Sequence, residues 1–200
     1  MTAPALALLE FDSVAAGIAA GDAMVKRAPL ESVVAGTIQP GHYLVLVTGE
    51  VAEVLEAVDA GRATSAVALV DEVVLPDVHP DVVSASRGER RGGPVEALGV
   101  VETRTVAATI QVADAGIKGA RVEIHELRLG DGLGGRGYVL FGGAVADVEA
   151  AVEIGSGRIA AAALRGTAVI AQLHEEMGDE LWGHPRFGAR LGREGDDAAG

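Results

Sequence analysis

Ala5–Ala28 reads ALALLEFDSVAAGIAAGDAMVKRA, and Ala97–Ala120 reads ALGVVETRTVAATIQVADAGIKGA. At a constant offset of 92, 11 of these 24 positions are identical, among them Glu10/Glu102, Val14/Val106, Ile18/Ile110, Asp22/Asp114 and Lys26/Lys118. A second match follows at an offset of 94, where 9 of 18 positions agree between Gly41–Val58 and Gly135–Val152. A period near 90 residues lies far above the roughly 20–50 of solenoid units. Each copy is long enough to hold its own core, so the chain reads as a duplicated domain.

Within the first copy, Leu6–Phe11 is an apolar run of strand type, and Ser13 can cap the helix that follows. Val14, Ile18, Gly21 and Val25 recur on that helix at helical spacing, as do Val106, Ile110, Ala113 and Ile117 in the second copy. Ser32–Ile38 reads as a strand, Gln39-Pro40-Gly41 as a tight turn, and Tyr43–Thr48 as the next strand. A second helix opens after Gly49 and Glu50 with Val51, Val54, Leu55 and Val58 on one face, and Ala66–Leu75 reads as a buried strand. The order β-α-β-β-α-β predicts an α+β, ferredoxin-like domain: an antiparallel sheet with both helices on one face. Pro76–Pro94, with three prolines and the basic cluster Arg87–Arg91, reads as a linker or as an extension of copy one followed by a linker. The expected division is residues 1–90 for the first domain, with its extension from about 76, 91–190 for the second, and a disordered acidic tail over 191–200.

Composition narrows the function. The chain has 200 residues, 49% of them hydrophobic but only 3% aromatic, so its core is built from Val, Ala, Leu and Ile. A formal net charge of −13 argues against nucleic acid or an anionic membrane as partner. With no cysteine there is no disulfide, thiolate nucleophile or cysteine-ligated cluster. The N-terminus lacks a basic n-region, and no apolar stretch approaches the roughly 20 residues of a membrane span, so a soluble cytoplasmic protein is expected.

Gly130–Gly135 matches the dinucleotide pattern GxGxxG, but a strand, Tyr138–Gly142, follows it where that motif needs a helix. The glycines read better as sharp turns or points of close approach. His42, His79, His125, His174 and His184 show no metalloprotease spacing and read as surface or linker residues, so no catalytic or metal site is expected. Asp22/Lys26 and Asp114/Lys118 sit at i,i+4 on equivalent helices, and two readings stand side by side: a simple intrahelical ion pair, or, because the pair survives in both copies, a shared contact role.

At A-L-A-L-L-E and A-L-G-V-V-E, G-D-A-M-V-K and A-D-A-G-I-K, V-T-G-E-V-A-E-V and F-G-G-A-V-A-D-V, the chain resembles the tandem-domain shell proteins of bacterial microcompartments. The unpermuted order, T-I-Q-P-G at Thr37–Gly41 and G-L-G-G-R at Gly132–Arg136 are similar to the propanediol-utilisation branch. The resemblance implies a homotrimer that mimics a hexamer, a tile packing with other shell proteins into facets of a shell in the cytoplasm, around encapsulated enzymes. It implies a central pore for small metabolites lined by Gln39, Pro40, Leu133 and Gly134, with His42 and Arg136 further back. The helix lysines, Lys26 and Lys118, fall at the tile edge. Two departures are visible. Relatives in that branch carry a cysteine at the position of Gln39, and three of them hold an iron–sulfur cluster on the axis; Gln39 offers no thiolate, so no cofactor is expected. The family's edge arginine is replaced in Pro76–His79 and Ala171–His174, which leaves Asp77 as a partner for Lys26 of a neighbour. The competing reading is a trimeric small-molecule sensor of ferredoxin-like fold, for which a basic clamp in the loops is expected and only Arg136 is present. An enzyme ranks third, lacking a paired acid–base candidate.

Overall fold

The computed structural model describes residues 5–183. In the first domain β1 (Ala5–Phe11) is followed by α1 (Val14–Arg27), β2 (Ser32–Ile38), β3 (His42–Gly49), α2 (Val51–Ser65) and β4 (Leu69–Leu75). A short helix, α3 (Pro80–Ser86), follows. The second domain repeats the order as β5 (Ala97–Thr103), α4 (Val106–Gly119), β6 (Glu123–Leu129), β7 (Gly137–Gly143), α5 (Val145–Gly157) and β8 (Leu164–Ala171), and ends in α6 (Glu175–Trp182). The strands form two four-stranded sheets, ordered β2-β3-β1-β4 and β6-β7-β5-β8, with every neighbouring pair antiparallel. Each domain is therefore the expected β-α-β-β-α-β unit.

Strand alternation divides the first core. Ala5, Ala7, Leu9 and Phe11 face Ala20 and Met24 of α1 and Val54, Ala57 and Val58 of α2. Leu6 and Leu8, on the other face of β1, belong to a cluster that continues through Val78, Val82 and Ala85 into Val106, Ala107 and Ile110 of α4. The helix starts are alike: the Ser13 and Thr105 hydroxyls accept from the N–H groups of Ala16 and Ala108, each at 3.3 Å.

The copies keep one backbone by exchanging bulk between facing positions. Met24 of α1 lies in the same core as Val47 of β3, whereas their counterparts are Gly116 of α4 and Phe141 of β7. A Cβ on Gly116 would lie 2.5 Å from Phe141 Cζ. The same exchange recurs where Gly17 faces Tyr43 and Thr109 faces Gly137: a Cβ on either glycine would overlap its partner. Close-packed interiors allow such pairs to vary only together.

Several expectations require correction. Ala66–Ala68 is a turn of 3-10 helix and β4, an edge strand, buries only Val73, so Ala66–Leu75 is not one buried strand. The stretch between the domains is partly helical, because Pro80 occupies the first turn of α3 with His79 as its cap. Val51 and Leu55 are exposed; α2 instead buries Val54, Ala57, Val58 and Gly61. The apolar stripe of α1 is also turned outward: Val14, Ile18 and Val25 are exposed, and Gly17, Ala20 and Met24 face the sheet. The expected tail over 191–200 and His184 lie outside the described residues.

Candidate functional site

The two domains meet across the apolar cluster that joins β1 and α3 to α4, and a buried carboxylate bonds across the same seam. Glu10 is buried near the end of β1, where its Oε1 accepts from His42 Nδ1 at 2.8 Å. Its Oε2 accepts the backbone N–H of Val106, the first residue of α4, at 3.0 Å. The first domain thus supplies an orphan donor of the second domain's helix with a negatively charged partner at its positive end. Burial pushes the Glu10 carboxyl above its ordinary value, while His42 and the Val106 N–H pull it back down. Thr105 adds a bond from its hydroxyl to Asp71 of β4.

The far end of α4 is tied across the same seam. Asp114 Oδ1 accepts the His79 backbone N–H at 2.8 Å, and Asp114 Oδ2 pairs with Lys118 Nζ at 2.8 Å. Lys118 also donates to the Asp77 carbonyl. Beside these residues lies a cleft of about 560 Å³, lined by Leu75, Asp77, Gln111, Asp114, Lys118 and Arg158 among others. In the first domain the equivalent Lys26–Asp22 pair, at 2.6 Å, stands exposed.

The loops between the middle strands converge. Gln39–Gly41 joins β2 to β3, and residues 130–136 join β6 to β7. A Cβ on Gly135 would lie 3.2 Å from the Gln39 carbonyl oxygen and 3.4 Å from Pro40 Cδ. Gly130, Gly132, Gly134 and Gly135 all have positive φ, which explains the glycine density. Because this loop runs into β7 and not into a helix N-terminus, its N–H groups lack the arrangement of a dinucleotide cradle. Gln39, Pro40 and Gly134 are exposed and Leu133 is half-buried. Behind the second loop Arg136 donates from Nη1 to Glu102 at 3.2 Å and from Nε to the Leu133 carbonyl at 3.1 Å. Glu10–His42 and Glu102–Arg136 occupy equivalent places in the two domains.

The histidines are not all surface or linker residues. His42 is half-buried against Glu10, and His125 is buried with its ring centroid 4.9 Å from that of Trp182. His125 Nδ1 lies 3.0 Å from the Arg91 carbonyl and must carry its proton there, and burial holds the imidazole below its ordinary value. No group of three or more potential metal ligands occurs among the described residues. Glu10 had no assigned role in the sequence reading, although a carboxylate preserved in both copies of an otherwise apolar strand was the signal for one.

These features define a duplicated α+β chain whose copies associate head to tail. Residues 5–78 and 97–173 each match the BMC domain. The chain belongs to the BMC-domain family of bacterial microcompartment shell proteins, in its tandem-domain form. It is 38% identical over 152 residues to the bacterial microcompartment shell protein PduT of Citrobacter freundii, covering 76% of this chain and 83% of that protein. It is 30% identical over 167 residues to the carboxysome assembly protein CcmO of a Synechocystis species, covering 76% of this chain and 55% of that one. A solved structure of a microcompartment protein from Desulfitobacterium hafniense superposes with a TM-score of 0.77 at 36% identity, covering 88% of this chain and 98% of that one. A fused permuted hexameric shell protein from the RMM microcompartment shares the fold, with a TM-score of 0.57 at 22% identity over 78% of this chain and 83% of that one.

Proposed function

We propose that three chains close into a ring of six similar domains, a flat tile that packs with other shell proteins into a microcompartment facet. The observation that carries this reading is the head-to-tail junction inside one chain, where Glu10 of one domain caps a helix of the next. A contact between unlike surfaces of like domains forms a ring whenever its rotation closes. The pore on the ring axis is lined by Gln39, Pro40, Leu133 and Gly134, and the packing of Gly135 on the Gln39 carbonyl supports a shared axis for the two loops. Gln39 amides and exposed peptide groups then offer neutral hydrogen bonds to small polar metabolites. Lys26, Lys118 and Asp77 stand at the tile edge, and enzymes enclosed by the shell are the further partners.

The role is structural and not catalytic. Glu10 is engaged in capping α4, and the half-buried His42 is engaged in holding Glu10. Gln39 cannot provide a thiolate, so the tile carries no iron–sulfur cluster.

Light scattering on the purified chain should give the mass of three chains, and electron microscopy of concentrated protein should show hexagonal sheets that strengthen with salt, since the formal charge of −13 per chain opposes edge contact. A monomer at all concentrations would overturn the tile.

A further inference from the structure

The cleft beside Lys118 holds two opposite charges that the fold does not bring together. It lies where three elements meet: one face of α4, the C-terminal end of α5, and residues 74–77 at the end of β4 in the other domain. Gln111, Asp114, Ala115 and Lys118 recur at three- and four-residue spacing, so α4 turns one continuous face into it. Asp114 and Lys118 are already committed, to each other, to the His79 N–H and to the Asp77 carbonyl. The other polar groups are not. The Asp77 carboxylate, the Arg158 guanidinium and the Gln111 amide have no hydrogen-bond or ion-pair partner among the described residues. Asp77 and Arg158 thus line one cleft without pairing across it. Val74, Leu75, Ala115 and Ile154 supply its apolar wall.

The two copies differ at these positions. The equivalents of Gln111 and Ile154 are Ala19 and Ala60, and Arg158 corresponds to Thr64, whereas the aspartate–lysine pair is common to both. The first domain reaches the same fold without the amide and the guanidinium, so packing does not require them.

We propose that this cleft binds a small zwitterion, an amino acid whose ammonium and carboxylate are separated by a short aliphatic chain. Arg158 takes the carboxylate through its paired N–H groups, Gln111 adds an amide hydrogen bond, and Asp77 takes the ammonium. The aliphatic chain lies on Leu75 and Ile154. The volume of about 560 Å³ is that of a small-molecule site, and such sites favour junctions between domains. A molecule with one charge leaves the opposite group of the cleft without a partner, so the site selects for both charges together. A second copy of the cleft is a poorer occupant, because two concave surfaces placed face to face hold their charged groups apart. The site is formed within one chain and is independent of the pore and of the tile.

Isothermal titration of the full chain with 4-aminobutanoate, 5-aminopentanoate and 6-aminohexanoate tests this, with pentanoate and pentylamine as single-charge probes. The best of the three amino acids should bind with a Kd of about 1 mM, and each single-charge probe at least about tenfold more weakly. Arg158→Thr, which copies the first domain, and Asp77→Asn should each weaken the best amino acid about tenfold and keep the far-UV circular dichroism of the parent. Thr64→Ala, at the position equivalent to Arg158, should leave binding unchanged. Amino acids that bind no tighter than pentanoate and pentylamine, or that bind the Arg158→Thr variant as well as the parent, overturn the site. Charges that serve contact between tiles instead would show as a parent that binds none of the probes, with hexagonal sheets lost in Arg158→Thr and Asp77→Asn; that overturns the site and leaves the tile standing. A monomeric chain that binds the amino acid as expected supports the site and overturns only the tile.

Discussion

Helices α1 and α4 began as one sequence and now live in opposite surroundings. Both have a hydroxyl cap, a lysine four residues after an aspartate and an apolar stripe at the same positions. In α4 that stripe is buried, and ten of its fourteen residues are out of solvent; in α1 only Gly17, Ala20 and Met24 are. In α4 the stripe meets the first domain as well as the helix's own. In both copies a narrow line of small residues, with Met24 in α1, meets the sheet; in α4 the wider apolar face is covered by β1, β4 and α3, and in α1 it is open. The apolar surface of α4 thus packs on the first domain as well as on its own core.

The largest break of this comparison comes from the stripe itself. Ile110→Asp places an unpaired carboxylate in the buried seam and should cost about 4 kcal/mol or more, enough to unfold much of a marginally stable chain. Ile18→Asp, at the equivalent exposed position, should change the stability of the separated chain by less than about 0.5 kcal/mol. Urea unfolding of both variants at a concentration where chains are apart measures the contrast, and equal losses would mean that the two faces are not differently covered.

The exchange of bulk sharpens the comparison on the inner side. Gly116→Met copies Met24 into α4, where it meets Phe141, and should cost about 2–3 kcal/mol by overpacking. Adding Phe141→Val copies the facing residue of the first domain and should restore at least about 1 kcal/mol, a coupling that a double-mutant cycle reads directly. An additive pair would show that the two cores are not built by the same exchange.

The smallest effect concerns a residue with no counterpart. His125 is the extra residue of a bulge in β6, between Ile124 paired to Phe141 and Glu126 paired to Leu140, whereas β2 pairs without interruption. Burial lowers its pKa from 6.5, so the stability it contributes is complete above that value and is lost as pH falls through the folded pKa. Thermal unfolding between about pH 7.5 and pH 5 should show a decline that His125→Phe, which keeps a ring against Trp182 but takes up no proton, makes shallower. An unchanged slope would place the acid sensitivity elsewhere, with Glu10 contributing the opposite sign because its raised pKa favours the protonated form.

Much of the fold was legible because duplication made one pattern readable twice. The strands Ser32–Ile38 and Leu6–Phe11, the caps Ser13 and Thr105, and the turn at Gln39–Gly41 all follow from local residue chemistry. Helix α3 was missed because seven residues beginning at a proline leave too short a period to detect. The stripe of α1 was visible but its direction was not, since periodicity tells which residues share a face and not what the face meets. Pairing of His42 with Glu10 was invisible for the same reason: the two lie 32 positions apart and come together only through the register of β1 on β3.

By itself the sequence determined that there are two copies of an α+β unit, which residues they share and which loops differ, because local propensities and the repeat act over a few residues at a time. Only the tertiary structure decided that Glu10 caps a helix of the other copy, that Met24 and Phe141 fill equivalent space, and that one of two like helices is covered while the other is open. Those outcomes depend on which surfaces reach each other across the chain, and a packed interior admits one arrangement of such contacts where the local code allows many.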